Sequence, residues 1–238
     1  VRLLLALLLL LPGLARAANI ASQFYEGRAY VTGTRAETRS DALMTAFRRV
    51  LVKVSGNPVW FEADRVAVFA PLLPGMTLDI AYLDRMSDEP HHDEQGTRDR
   101  PFDLIAHFDP LRIDAVLTLL GDRPWETARP RIALNVTIDD HGIVFPLTAD
   151  ADASERHRQA LLAAADRFGV QVALGLENEP PPTAPLLIEG HLAWSDTALG
   201  WVADWHSGGM TWSVSGVSFD EAYRAALSHV AARLSGHS

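Results

Sequence analysis

The stretch Phe102–Asp140, FDLIAHFDPLRIDAVLTLLGDRPWETARPRIALNVTIDD, decides the fold. Phe102, Leu104, Ala106 and Phe108 alternate with other residues, which predicts a strand with one buried face. Asp109-Pro110 then marks a helix start: an acceptor side chain, followed by a residue with no amide to satisfy. Leu111, Ile113, Val116, Leu117 and Leu120 make the expected buried stripe of that helix, and Gly121 its stop. Asp122 to Pro130 reads as a connector holding Trp125 and Arg129-Pro130. Arg131 to Ile138 is strongly β-like. The turn Asp139-Asp140-His141-Gly142 returns it to a hairpin partner at Ile143 to Leu147.

The flanks pair off around this centre. On the N-terminal side, Phe24 to Val31 predicts a strand. Ser40 is read as the cap of a helix running to Val54 or Ser55, with Leu43, Phe47, Val50, Leu51 and Val54 on its apolar face. Ala63 to Ala70 predicts a short helix packed by Val66, Val68 and Phe69, and Leu78 to Met86 a second strand. On the C-terminal side, Ser154 to Phe168 predicts a helix whose core face is Leu161, Leu162, Ala165 and Phe168. A short strand over Val170 to Leu174 precedes the proline-stiffened loop Glu177 to Pro185.

Three strands follow as a meander: Leu186 to Trp194, Trp201 to His206 and Met210 to Ser215. Ser218-Phe219-Asp220-Glu221 has the capping-box spacing for a last helix, with Ala222, Tyr223, Ala226, Leu227, Val230 and Leu234 as its core stripe. The expected fold class is α+β: two small sheet-plus-helix halves, 18–122 and 123–238, with mostly antiparallel strands and helices packed on one face.

Residues 1–17 read as a signal peptide. Arg2 precedes the apolar run Leu3 to Leu11, Pro12-Gly13 breaks it, and Ala15-Arg16-Ala17 is a small-x-small cleavage pattern. The run is shorter than the roughly 20 residues that span a bilayer, so the expectation is a periplasmic protein with no integral membrane segment after cleavage. The chain of 238 residues has no cysteine, which removes disulfides and thiol catalysis. Its net charge of -9 argues against nucleic acid as a partner.

Several clusters invite a chemical reading. His91, His92, Asp93 and Glu94 are all metal-ligand types, but they are adjacent on a polar stretch and lack zincin spacing, so a solvated loop tip is the simpler reading. Asp139, Asp140 and His141 put an imidazole beside two carboxylates, as proton shuttling needs. Asp and Gly are equally what a hairpin turn needs. Arg48-Arg49 reads as an anion site or, more simply, as a solvated helix face. Asn135-Val136-Thr137 matches a glycosylation sequon inside an expected buried strand and is read as chance. Trp194, Trp201, Trp205 and Trp212 fall in the meander, either as core or as an exposed indole row that binds a partner.

The segments Val50 to Gly56, Phe108-Asp109, Trp125 with Arg129-Pro130, and Gly216 carry a resemblance to a bacterial exported family, domain of unknown function 2066. Ser55, Gly56, Phe108, Asp109, Trp125, Arg129 and Pro130 are its motif positions here. The stretch between Leu174 and Leu186 is shorter than that family's pattern. The resemblance brings no activity or substrate. No phosphate-binding loop, dinucleotide fingerprint, nucleophile elbow or zincin motif occurs, so no cofactor, metal or catalytic residue is expected. The reading is a non-catalytic periplasmic binding or accessory module for an envelope protein. The alternative is a periplasmic hydrolase using His/Asp acid–base or metal chemistry. Oligomeric state is not legible.

Overall fold

Ala29 and Val31 alternate inward on β1 (Glu26–Thr32), and Leu104, Ala106 and Phe108 do the same on β3 (Pro101–Phe108). These two strands and β2 (Thr77–Asp84) form an antiparallel sheet of order β1-β3-β2. The computed structural model describes residues 23–87, 100–177, 179 and 182–237. The chain divides into a first unit, Val1–Ser55 with Val59–Pro124, and a second, Gly56–Pro58 with Trp125–Ser238.

In the first unit, helix α1 (Ala36–Ser55) lays Leu43, Ala46, Phe47, Val50 and Leu51 on the sheet. The Phe47 ring sits 5.8 Å from Phe108 and 6.2 Å from Phe69. The helix begins four residues before Ser40, because Ala36, Glu37 and Arg39 sustain it ahead of the apolar face. Asp64–Leu72 is a 3₁₀ helix that holds Pro71, and it runs into the short α2 (Leu73–Met76). Val68, expected inside, is exposed there, while Val66 is buried. The α3 helix (Pro110–Leu119) starts as its sequence predicts: Asp109 accepts from the Leu111 amide at 3.0 Å, with Pro110 at its first turn. Its stripe is narrower than expected, since Leu111 is 80% exposed.

The second unit is built on a six-stranded sheet. Its strands are β4 (Arg131–Asp140), β5 (Ile143–Pro146), β6 (Gln171–Ala173), β7 (Leu186–Ser195), β8 (Gly200–Ser207) and β9 (Met210–Val217). The order is β5-β4-β7-β8-β9, with β6 paired to β4. The β4–β7 and β4–β6 pairs are parallel and the others antiparallel.

Helices α4 (Glu155–Phe168) and α5 (Phe219–Ser235) pack on one another and contribute His157, Leu161, Phe168, Tyr223, Leu227 and Val230 to the core. Leu162, expected on the core face of α4, is exposed. The sheet's helix-facing residues are Ile132, Leu134, Val136 and Ile138 on β4, Ile188 and Leu192 on β7, and Trp201, Ala203 and Trp205 on β8. The opposite face is polar: Asn135, Thr137, Glu189, His191, Asp204, His206, Thr211 and Ser213 are exposed there.

The fold is α+β, with helices on one face of each sheet. No helix among the described residues is long and apolar enough to cross a membrane. Residues 1–17, read as a leader, and His91, His92, Asp93 and Glu94 lie outside the described residues.

Candidate functional site

The four meander tryptophans divide into two kinds. Trp201 and Trp205 are 7% and 2% exposed, so neither offers an indole face to a partner. Period-two alternation puts both on the helix side of β8. Trp205 leans over Gly190 on β7, where an added Cβ would come within 2.3 Å of its Cζ3, and stands 6.0 Å from the Tyr223 ring. Trp201 meets Trp194, His157 and Phe219 edge-on.

Trp194 and Trp212 are half-buried. The His141 ring stacks on Trp194, with centroids 4.9 Å apart, and Trp194 Nε1 donates to Asp196 at 2.9 Å. The structure therefore brings the Asp139-Asp140-His141 turn next to one of the tryptophans. The turn engages these side chains locally. Asp139 Oδ1 accepts from the Gly142 amide at 2.7 Å, and Asp140 Oδ1 lies 2.7 Å from His141 Nδ1. His141 itself has a left-handed φ of 54°.

The remaining candidates serve the backbone. Arg48 donates to the carbonyls of Phe61 and Ala63, and Arg49 to that of Arg28. Ser55 Oγ donates to Leu51, and Phe108 is buried. Gly56 has φ +76° and lies against Ser235 and Trp125. Arg129 lies over the Trp125 ring at 4.4 Å and donates to the Phe168 and Gly169 carbonyls that end α4. Pro130 leads into β4.

One open surface is the β9 edge of the second sheet. Strand β9 is the last in the order β5-β4-β7-β8-β9, so no strand of the described residues covers its outer side. Gly208 and Gly209 have φ of 56° and 82°, the signature of a two-residue type I′ hairpin. In such a hairpin the flanking pair Ser207↔Met210 is hydrogen-bonded, and bonded and non-bonded pairs then alternate along the ladder. Met210, Trp212 and Val214 therefore bond to β8. Thr211 and Ser213 turn their amides and carbonyls to the open edge.

Recesses lie on both sides of this edge. Toward the helices, a groove of about 520 Å³ runs between β9 and α5. Ala225, Ser228 and Ala232 line it with small side chains, so the helix does not fill it. Trp212 and His229 stack in it at 4.5 Å between centroids, and Trp212 Nε1 is buried with no acceptor among the described residues. Arg233 and His237 add to its polar lining, and no carboxylate among the described residues contributes. On the opposite face a shallow recess of about 620 Å³ shares Trp212 and Ser213 and is lined by Asn135, Thr137, Glu189 and Asp204. There Glu189 lies 3.2 Å from His206 across the β7–β8 pair.

The meander's third strand was legible in the sequence, but its place at the sheet edge was not. Composition gave no sign of it, since Met210 to Ser215 carries no charge and no proline, the usual guards of an edge.

A family described as a domain of unknown function, DUF8605, matches residues 18–126. This corrects the resemblance to domain of unknown function 2066, which is a different family. The segments that carried the resemblance are short: helix and strand ends at Val50 to Gly56 and Phe108-Asp109, and the connector at Trp125 with Arg129-Pro130. The β9 edge lies outside the matched residues. Neither a curated protein nor a solved structure matches the chain.

Proposed function

We propose that this chain is an exported, non-catalytic binding module of the cell envelope and that it docks a partner protein on the β9 edge. One observation carries the reading: an uncharged edge strand lies open, with a recess on each side that meets at Trp212 and Ser213. A long uncharged edge is an association hazard unless something covers it. The leader pattern supports an extracytoplasmic address. Of the residues the acid–base alternative names, Asp139 holds the Gly142 amide and Asp140 holds His141, while His91 and His92 lie outside the described residues.

The test is a photo-crosslinking side chain placed at Thr211 in cells expressing the full chain, with a control at exposed Leu162 on α4. The expected result is a discrete adduct from Thr211 alone. Fractionation should recover a chain beginning at Ala18 in the periplasm. Equal labelling at both positions, or none at Thr211, would sink the binding role, and an uncleaved cytoplasmic chain would sink the address.

A further inference from the structure

We infer that the β9 edge accepts an extended segment of another polypeptide as an added strand, one whose helix-facing side chains are acidic. This rests on the docking role proposed above and names its mode and its partner chemistry. Thr211 and Ser213 offer outward amides and carbonyls, as strand addition requires. Successive side chains of an added strand point to opposite faces. One set therefore enters the groove against α5, and the other lies over the recess at Asp204 and Glu189.

Charge selects the partner. The α5 groove is lined by Arg233, His229 and His237 with no carboxylate among the described residues, in a chain whose net charge is -9. Among the described residues Arg233 has no carboxylate partner, and its guanidinium rests against the Met210 sulfur. Trp212 Nε1 adds a donor that lacks an acceptor. A carboxylate in this groove meets a cation and donors in a partly desolvated setting, where such pairing is stronger than on an open surface. An apolar recess of about 190 Å³, lined by Leu186, Val230 and Leu234, adjoins the groove at Met210 and Arg233 and suits an apolar residue near the segment's end. A second copy of this chain fits less well. Two-fold pairing of β9 with its own copy would bring two basic α5 grooves toward one another, and like charges across a pair repel.

Two end-labelled octapeptides, one alternating Glu with Thr and one alternating Lys with Thr, are titrated against the mature chain by fluorescence anisotropy at low salt. The Glu peptide is expected to bind at least about tenfold more tightly. Ser213→Pro removes an outward amide without breaking the β8 ladder and should weaken it by at least about tenfold. Arg233→Glu should reverse the preference, and circular dichroism verifies that both variants fold.

Equal affinity for the two peptides, failure to saturate at millimolar peptide, or indifference to Ser213→Pro overturns the inference. A dimer in sedimentation that Ser213→Pro dissolves also overturns it and assigns the edge to a second copy. If Thr211 captures a partner in cells while the Glu peptide fails, acidic strand addition falls and the docking role stands. If the peptide binds while Thr211 captures nothing, the docking role in cells falls instead.

Discussion

The His157 imidazole of α4 and the Tyr223 hydroxyl of α5 lie 3.2 Å apart in the core of the second unit. The rings of Phe145, Trp201 and Phe219 surround the pair, none more than 6.1 Å from the imidazole. Burial is the largest influence on His157 and lowers its pKa. Asp140 and Asp220 oppose this, and Arg156 reinforces it. Burial pushes the Tyr223 hydroxyl upward, so it keeps its proton and can donate to a neutral imidazole. The unfolded chain then binds a proton at His157 more readily than the folded one. This contribution to stability is complete above the ordinary imidazole value and is lost as pH falls through the depressed one. The thermal midpoint should drop between about pH 7 and about pH 5, and His157→Phe should flatten part of that slope. Parallel slopes for the two proteins would refute the assignment.

Gly190 and Trp205 form one packing unit. A Cβ at 190 would fall 2.3 Å from Trp205 Cζ3, deep inside any allowed contact. Gly190→Ala should therefore cost about 2 kcal/mol in urea unfolding, as overpacking a core does. In a Trp205→Leu background the same change should cost close to nothing, because the ring it strikes is gone. Additive costs would show that the strain lies elsewhere in β7.

Arg129 links the connector to the end of α4. It lies 4.4 Å above the Trp125 ring and donates to Phe168 at 2.7 Å and Gly169 at 3.2 Å. Lysine keeps the charge but loses the planar fork and the stacking. Arg129→Lys should lower stability by about 1–2 kcal/mol, read from chemical denaturation followed by Trp fluorescence. A cost near zero would reduce the motif to a surface contact.

The capping box of α5 is complete. Ser218 accepts from the Glu221 amide at 3.2 Å, and Glu221 accepts from the Ser218 amide at 3.0 Å. The Ser218 amide, then its hydroxyl, hold the Glu221 carboxyl below its ordinary range. Its support for the helix is present above that range and fades as pH falls through the lowered value. Ser218→Ala should cost about 1 kcal/mol at neutral pH. It should also move the Glu221 titration, followed by NMR, back upward. An unmoved titration would mean that the hydroxyl adds nothing.

Features set by neighbours along the chain were legible in the sequence. The Asp109-Pro110 start, the Ser218–Glu221 box and the Asp139–Gly142 turn are each closed within a few residues, and the structure places each where its spacing predicts. Properties set by distant pairing were hidden. Nothing near Leu111 or Leu162 shows that no second layer covers it. Which tryptophans are core depends on the strand face that meets α4 and α5, and Trp205 is inside partly because Gly190, on another strand, makes room. That β9 is an edge follows from β4 pairing with β7 in parallel, a choice that local composition does not record.

The same β4–β7 pairing has a kinetic corollary. Strand β4 leaves the ribosome long before β7, and α5, which packs on α4, β7, β8 and β9, ends at Ser235. The first unit joins its strands and its α1 helix from residues that end at Pro124. Assembly of the second must wait on its most distal segment. Until then β4 lacks the parallel neighbour that its place in the middle of the sheet requires.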